Sequence, residues 1–302
     1  MRKIGWKNGC DFAFTIIDDT DNATVKNIKP VYDYLYSKGI ITTKTVWAYP
    51  PRDKYKGESL SDKAYAEFIK DLKQKGYEIA FHNAGSGGFK REETASALND
   101  FKTLLGEYPQ MHINHANNTE NIYWGYERFS GLVRWIYKVK KAHIPSEGTC
   151  KNSEYFWGDI CKEKIRFIRN RTFNGINTLK EDKRLVYRET GKNEYSNYWF
   201  SSSDAMKEDS FVKLLSKENI DKLQKENGLC ILYTHFGYGF VDDNGNLSED
   251  FKRAVDYLAS KNVWSAPASE ILDYVLKDKE YKPSKFYEFF MDIKWFFERI
   301  KK

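Results

Sequence analysis

The stretch Phe12-Ala13-Phe14-Thr15-Ile16-Ile17-Asp18-Asp19 is a short, β-rich apolar run that ends in two acids. It reads as a buried strand delivering carboxylates to its C-terminal mouth, where α/β folds place their chemistry. Adjacent carboxylates repel each other and resist leaving water, so a metal ion, a shared proton or a cationic neighbour has to offset that cost. The alternative is a solvated strand-to-helix turn in which Asp18, Asp19, Asp21 and Asn22 cap the next helix. The rest of the chain weighs between the two.

Outward from this strand, Thr24 to Lys38 has helical spacing and stops at Gly39, and Ile40 to Trp47 is rich in Ile, Thr and Val. A second unit has a helix from Ser61 to Lys75, closed by Gly76, and a strand Tyr77 to Phe81 with His82 at its exit. A third has a helix from Arg91 to Leu105, closed by Gly106, and a short strand Met111 to Asn114 with His115 at its end. Successive β-α-β units predict a parallel sheet or barrel, and every parallel strand presents its C-terminal end on the same side. Order returns late in the chain with the strand Leu229 to Thr234, ending at His235, then the helix Glu249 to Ser260, the strand Val263-Trp264 and the helix Ala268 to Leu276.

Between about 117 and 205 the sequence is irregular and rich in Trp, Tyr, Asn and Gly, with one clear strand, Ile165 to Ile168. No Pro/Ser/Gly linker bounds it, so it reads as an excursion of one barrel spanning 1–280, not as a separate domain. Its aromatics suit stacking on sugar rings, or equally a small core covering the barrel mouth.

The 302 residues, 41% hydrophobic and 30% charged, are enough to bury a sizeable core. No run of 18 apolar residues exists and the first residues lack the apolar core of a secretory signal, which predicts a cytoplasmic protein. Cys10, Cys150, Cys161 and Cys230 are widely spaced, against both a zinc knuckle and a disulfide framework. A net charge of +6, spread through helical faces, argues weakly for an anionic substrate or surface and against nucleic acid.

Asp18, Asp19, His82, His115 and His235 thus fall at four predicted strand ends. Carboxylate plus imidazole is a ligand set suited to zinc, with cobalt, nickel or iron as alternatives, and a spare carboxylate beside it can act as a general base.

These landmarks, Ile17-Asp18-Asp19, then Gly76-Tyr77-Glu78-Ile79-Ala80-Phe81-His82, and finally Ile231-Leu232-Tyr233-Thr234-His235, resemble those of the NodB-homology polysaccharide deacetylases, carbohydrate esterase family 4. The likeness runs from about Phe12 to Tyr274 and rests on order and spacing. It implies a distorted (β/α) barrel that deacylates an amino sugar in surface-polysaccharide biosynthesis, with Asp18 as the general base, Asp19 and His82 as metal ligands, and His235 as the general acid.

Departures from the pattern are specific. Thr20 replaces the glycine after the paired acids, Ser86 replaces the second metal histidine, and the arginine-bearing segment after the fourth strand gives way to His112-Ile113-Asn114-His115-Ala116-Asn117-Asn118. His115 is the candidate for the missing ligand, and Asn117, Trp124 and Tyr233 are candidate substrate-binding residues. Three other readings stay open: a degenerate sugar-binding protein on the same scaffold, a phosphatase-type Asp19-Thr20-Asp21, and a glycosidase, which needs carboxylates facing each other across about 5 to 10 Å.

Finally, Phe286, Phe289, Phe290, Ile293, Phe296, Phe297 and Ile300 repeat at helical spacing and predict an amphipathic helix within 281–302. That stripe is expected to pack on the barrel, on a second subunit as a homodimer, or on a membrane surface.

Overall fold

The computed structural model describes residues 4–116, 118–141, 146–277 and 281–300. The strands in chain order are β1 Phe12–Asp18, β2 Thr43–Val46, β3 Glu78–Phe81, β4 Met111–His112, β5 Phe167–Phe173, β6 Val186–Tyr187, β7 Tyr198–Asp204, β8 Leu229–Thr234 and β9 Val263–Ser265. Seven of them follow one another as β1-β2-β3-β4-β5-β7-β8, and the ring closes because β1 pairs in parallel with both β2 and β8. Every pairing in the ring is parallel, so the expected (β/α) barrel forms and its strand ends share one mouth. β9 runs beside the first half of β1, and β6 lies antiparallel on β7.

Local chemistry sets the element ends. The helix Val25–Ser37 begins at Thr24, whose side chain accepts the Asn27 amide while the Asn27 side chain accepts the Thr24 amide. The helix Arg91–Leu105 stops at Gly106, whose φ of +87° is cheap only for glycine.

Strand alternation divides β1 between two layers. Phe12, Phe14 and Ile16 pack with helix residues such as Ile28, Val31 and Leu35, whereas Ala13 and Ile17 pack with Ala80, Met111, Phe167, Leu229 and Ile231 from other strands. The even positions therefore face the helical layer and the odd ones the barrel interior. Asp18 is even. Its Cα partner on β2 is Lys44, which shares a face with Val46 of the outer layer.

Asp18 is fully buried behind the mouth, at 2.9 Å from the Lys44 ammonium, accepting hydrogen bonds from the Tyr32 hydroxyl at 2.9 Å and the Phe236 amide at 2.7 Å. Burial pushes its carboxyl above the ordinary value, against the opposing pull of Lys44. The assignment of Asp18 as general base is thus corrected: it is a structural charge with its oxygens committed on the far side of the strand.

His112 is even-faced on β4 in the same sense, fully buried and packed edge-on to Trp157 at 5.1 Å between ring centres. Burial pushes its pKa down to about 3. A histidine with a depressed native pKa contributes stability that is complete above its unfolded value of about 6.5 and is lost as pH falls toward the native one. Denaturant titrations from pH 7 to 4 are expected to show that loss, at most about 5 kcal/mol in full, and to show a flatter profile in His112→Phe. Parallel profiles would refute the assignment.

The segment 117–205 is not an irregular excursion. It supplies two barrel strands, β5 and β7, which pair in parallel with each other. The sequence marks β5 only as far as Ile168 and does not mark β7, because polar residues interrupt them: Arg169, Asn170, Arg171 and Thr172 in β5, and Ser201, Ser202 and Ser203 in β7, all of them buried.

The C-terminal helix Lys285–Ile300 packs on the barrel, with a buried face other than the aromatic stripe. Glu288, Met291, Asp292 and Trp295 are buried, while Phe286, Phe290 and Phe297 are exposed. The reason is ionic: Arg171 on β5 donates to Asp292 at 3.0 Å through Nε and at 2.5 Å through Nη2, and the Thr190 amide donates to Glu288 at 2.9 Å. Met291 and Trp295 then pack with Phe129, Val133 and Phe173. Among the described residues no helix is long and apolar enough to cross a membrane.

Candidate metal centre and active site

β1 ends at Asp18, and the Asp19 amide adds one more ladder bond to Thr234 before the chain turns, with the Ala23 amide closing on the Thr20 carbonyl. Asn22 takes a positive φ of 59° in that turn and donates its side-chain amide to the Gly237 carbonyl at 2.7 Å. This places Asp21 over the mouth. There its carboxylate meets two histidines from other strand ends: Oδ1 lies 2.8 Å from His115 Nε2 and Oδ2 3.3 Å from His82 Nε2.

The donor set fits a divalent ion. One ligand atom from each of Asp21, His82 and His115 lies within 4.8 Å of the others, and all three residues are buried. His82 Nδ1 sits 2.9 Å from the Ile113 carbonyl and His115 Nδ1 sits 3.0 Å from Asn118 Oδ1. The Asn118 amide is itself oriented, donating to the Gly85 carbonyl and to Glu120, each at 2.6 Å. A ring nitrogen facing a carbonyl oxygen carries the proton, which leaves each Nε2 lone pair pointing at the cluster. One carboxylate and two imidazoles held this way suit zinc or a neighbouring transition metal, with positions left for substrate and water.

Burial opposes the Asp21 charge, but the His115, His235 and His82 imidazoles outweigh it and hold the carboxyl well below the usual range. Burial likewise disfavours charge on His115 and His235, and the Asp21 carboxylate reverses that, raising both pKa values. This mutual dependence marks a compact charge cluster.

Asp19 was expected to be a ligand; its oxygens are instead engaged by Arg169, which donates to Oδ1 at 3.0 Å and to Oδ2 at 2.5 Å. Arg169 lies on the interior face of β5 and rests on the Tyr233 ring at 4.1 Å. Asp21 takes the position at the cluster. Ser86 is not a ligand: its hydroxyl donates to Asp53 at 2.8 Å and stands 3.4 Å from His115 Nδ1, so it buttresses the imidazole that arrives from after β4.

His235 stands on the wall, with Nδ1 3.0 Å from the Met206 carbonyl and Nε2 3.3 Å from the Tyr233 hydroxyl and 3.4 Å from Asp21 Oδ2. A cavity of about 820 Å³ opens above, bringing together Asp19, Asp21, His82, His115, Tyr233 and His235 with Trp124, Arg128, Trp295 and Arg299. Its size suits one or two sugar rings. Trp124 and Tyr233 thus line it, and Asn117 lies outside the described residues.

Arg128 is buried in the wall, its guanidinium 4.2 Å from the Trp124 ring centre and 5.1 Å from that of Trp295. Burial, aided by the Arg171 and Arg299 charges, lowers its pKa to about 9, which still leaves it charged at neutral pH. Asp21, Arg128, Arg169 and the contribution of the C-terminal helix were not legible as site residues. Asp21 looked like a helix-capping acid, and Arg169 stood one residue past the end of the predicted strand; its alternation with Phe167 was the available signal.

No family model matches the chain, and no curated protein matches it significantly by sequence. Among solved structures it is similar to Puue allantoinase, at 12% identity over 93% of this chain and 95% of that one, with a TM-score of 0.58. It is similar also to a probable polysaccharide deacetylase from Pseudomonas aeruginosa PAO1, at 11% identity over 93% of this chain and 96% of that one, again with a TM-score of 0.58. At such identity the likeness establishes architecture: the chain has the fold of the NodB-type polysaccharide deacetylases, a closed seven-stranded parallel barrel ringed by helices.

Proposed function

We propose that this protein is a metal-dependent hydrolase that removes the acyl group from the nitrogen of an acylated amino sugar in the making of a surface polysaccharide. The observation that carries the reading is the Asp21, His82 and His115 cluster at the barrel mouth, with both imidazole tautomers fixed from behind. Asp21, His82 and His115 would hold the ion, zinc by preference, which when bound supplies Lewis acidity toward the acyl oxygen and acidifies the attacking water.

The chain's own groups do the rest. Asp19 lies in the same cavity with its carboxylate oriented by the two-pronged Arg169 contact, and it serves as the base that takes the proton of the attacking water. His235 is held by the Met206 carbonyl at Nδ1 and presents Nε2 to the cavity, where it delivers a proton to the departing amine. Tyr233 sets both partners, with its ring under Arg169 and its hydroxyl at His235.

The test is metal analysis of the purified protein together with acetate release from a panel of N-acetylated amino sugars. About one zinc per chain and acetate release that a chelator abolishes and zinc restores are the expected results. A protein that takes up no stoichiometric metal and releases no acetate would refute the proposal in favour of a sugar-binding role.

A further inference from the structure

Among the described residues, the buried and half-buried cations around the cavity are paired with acids, except Arg128. Arg169 faces Asp19, Arg171 faces Asp292 at 2.5 Å, Arg299 faces Asp204 at 2.8 Å, and Lys192 faces Glu189. Arg128 has no carboxylate within ion-pair distance among the described residues. Its Nε and one Nη donate to Asn170, the first at 3.3 Å to the side-chain oxygen and the second to the backbone carbonyl, and its other Nη has no hydrogen-bond partner among them. A buried cation without an anion is costly, and the cost persists in a stable fold only when something else returns it.

The surroundings of Arg128 are arranged for a ligand. The Trp124, Trp295 and Phe129 rings lie within cation–π distance of the guanidinium, at 4.2, 5.1 and 5.5 Å, and Arg128 lines the cavity. Asn170 takes Nε and one Nη, so the other Nη is the donor left to meet an oxygen of a carboxylate or a phosphoryl group, acceptors that suit a guanidinium. Arg128 shares the cavity with the metal cluster, so one molecule can reach both.

We infer that Arg128 is a recognition site for an anionic oxygen group, carboxylate or phosphoryl, carried by the substrate at a distance from the bond that is cleaved. The substrate class narrows from acylated amino sugars in general to those bearing a negative charge, such as sugar phosphates or amino-uronates. The amino-sugar part of this statement rests on the proposed function; the charge rests on Arg128.

The experiment compares three probes on zinc-loaded protein by calorimetric titration: a neutral N-acetylhexosamine, its 1-phosphate and an N-acetylhexosaminuronate. At least one anionic probe is expected to bind about tenfold to a hundredfold more tightly than the neutral one, the range for a hydrogen-bonded charge. The tighter of the two identifies the group. In Arg128→Met, which keeps an apolar stem between the tryptophans, the ratio of anionic to neutral affinity is expected to collapse to about one, and Arg128→Lys to recover it in part.

Equal binding of the three probes by the natural protein would overturn the inference. So would a variant that weakens all probes alike and preserves their ratio, since that is the mark of a structural arginine. If Arg128→Met does not fold, Arg128→Lys gives the ratio test by itself. Absence of acetate release with the anionic preference intact would refute the proposed reaction and leave the anion site standing.

Discussion

Asp21→Asn is expected to lose its metal and with it nearly all hydrolytic activity, while Asp19→Asn keeps the metal and loses the reaction. Asparagine at position 21 retains the shape of the side chain but replaces the carboxylate, whose two oxygens face His82 at 3.3 Å and His115 at 2.8 Å, with a neutral amide. Outer-shell partners alone are worth roughly tenfold to a hundredfold in metal affinity, so a direct carboxylate ligand should cost at least about a hundredfold. With the ion gone, the stabilisation of developing charge goes too. Several kcal/mol of that stabilisation corresponds to roughly a thousandfold or more in turnover.

In Asp19→Asn the cluster is untouched, while the proposed acceptor of the water proton and the charged partner of the buried Arg169 are both removed, so kcat should fall by about a hundredfold to ten-thousandfold with zinc content unchanged and with some loss of stability. Zinc content and kcat measured on both variants decide the matter. Metal loss from Asp19→Asn with retention in Asp21→Asn would reverse the two assignments.

The second large effect concerns stability. Lys44→Met is expected to destabilise the fold by about 3 to 5 kcal/mol, because it leaves Asp18 buried without its cation. Both side chains are fully inaccessible, and no water can replace the missing ammonium. A loss of that size is a large share of the about 5 to 15 kcal/mol that holds a typical domain together. Asp18→Asn combined with Lys44→Met should recover much of it, since the asparagine oxygen can still accept the Phe236 amide while its NH2 donates to the Tyr32 hydroxyl oxygen, all without charge. Urea unfolding of the two single variants and the double one supplies the cycle. Additive losses, or a Lys44→Met change within about 0.5 kcal/mol, would contradict a coupled pair. Folded Asp18→Asn should retain zinc binding, which a member of the metal centre would not.

The barrel was legible because it depends on signals that are local and repeated: apolar β-rich runs, helical spacing, and glycines such as Gly106 at helix ends. His82, His115 and His235 were legible for a related reason, since a strand end in a parallel barrel has one address. The acids were harder. Adjacent residues at a strand terminus point to opposite faces, so Asp18 and Asp19 could not both enter the mouth, and counting in twos from Phe14 and Ile16 assigns Asp18 to the helical layer. Asp21 lies beyond the strand, where period two no longer applies and the turn around Asn22 sets direction. Arg128, Arg169 and the C-terminal helix were hidden because their roles come from partners 42 to 150 residues away, a separation no local pattern encodes.

The packing of the helix Lys285–Ile300 divides the labour of the cavity in a way that matters for how such a protein can change. The groups of the proposed reaction sit at strand ends or in the turns just past them, held by the barrel, whereas Trp295 and Arg299 belong to a surface helix that forms no part of the barrel ring. Substitutions along that helix can reshape one wall of the cavity while every strand register stays as it is. Selectivity in this scaffold is therefore separable from reactivity, and an engineer seeking a new substrate would randomise the cavity-facing positions of one helix before touching any strand.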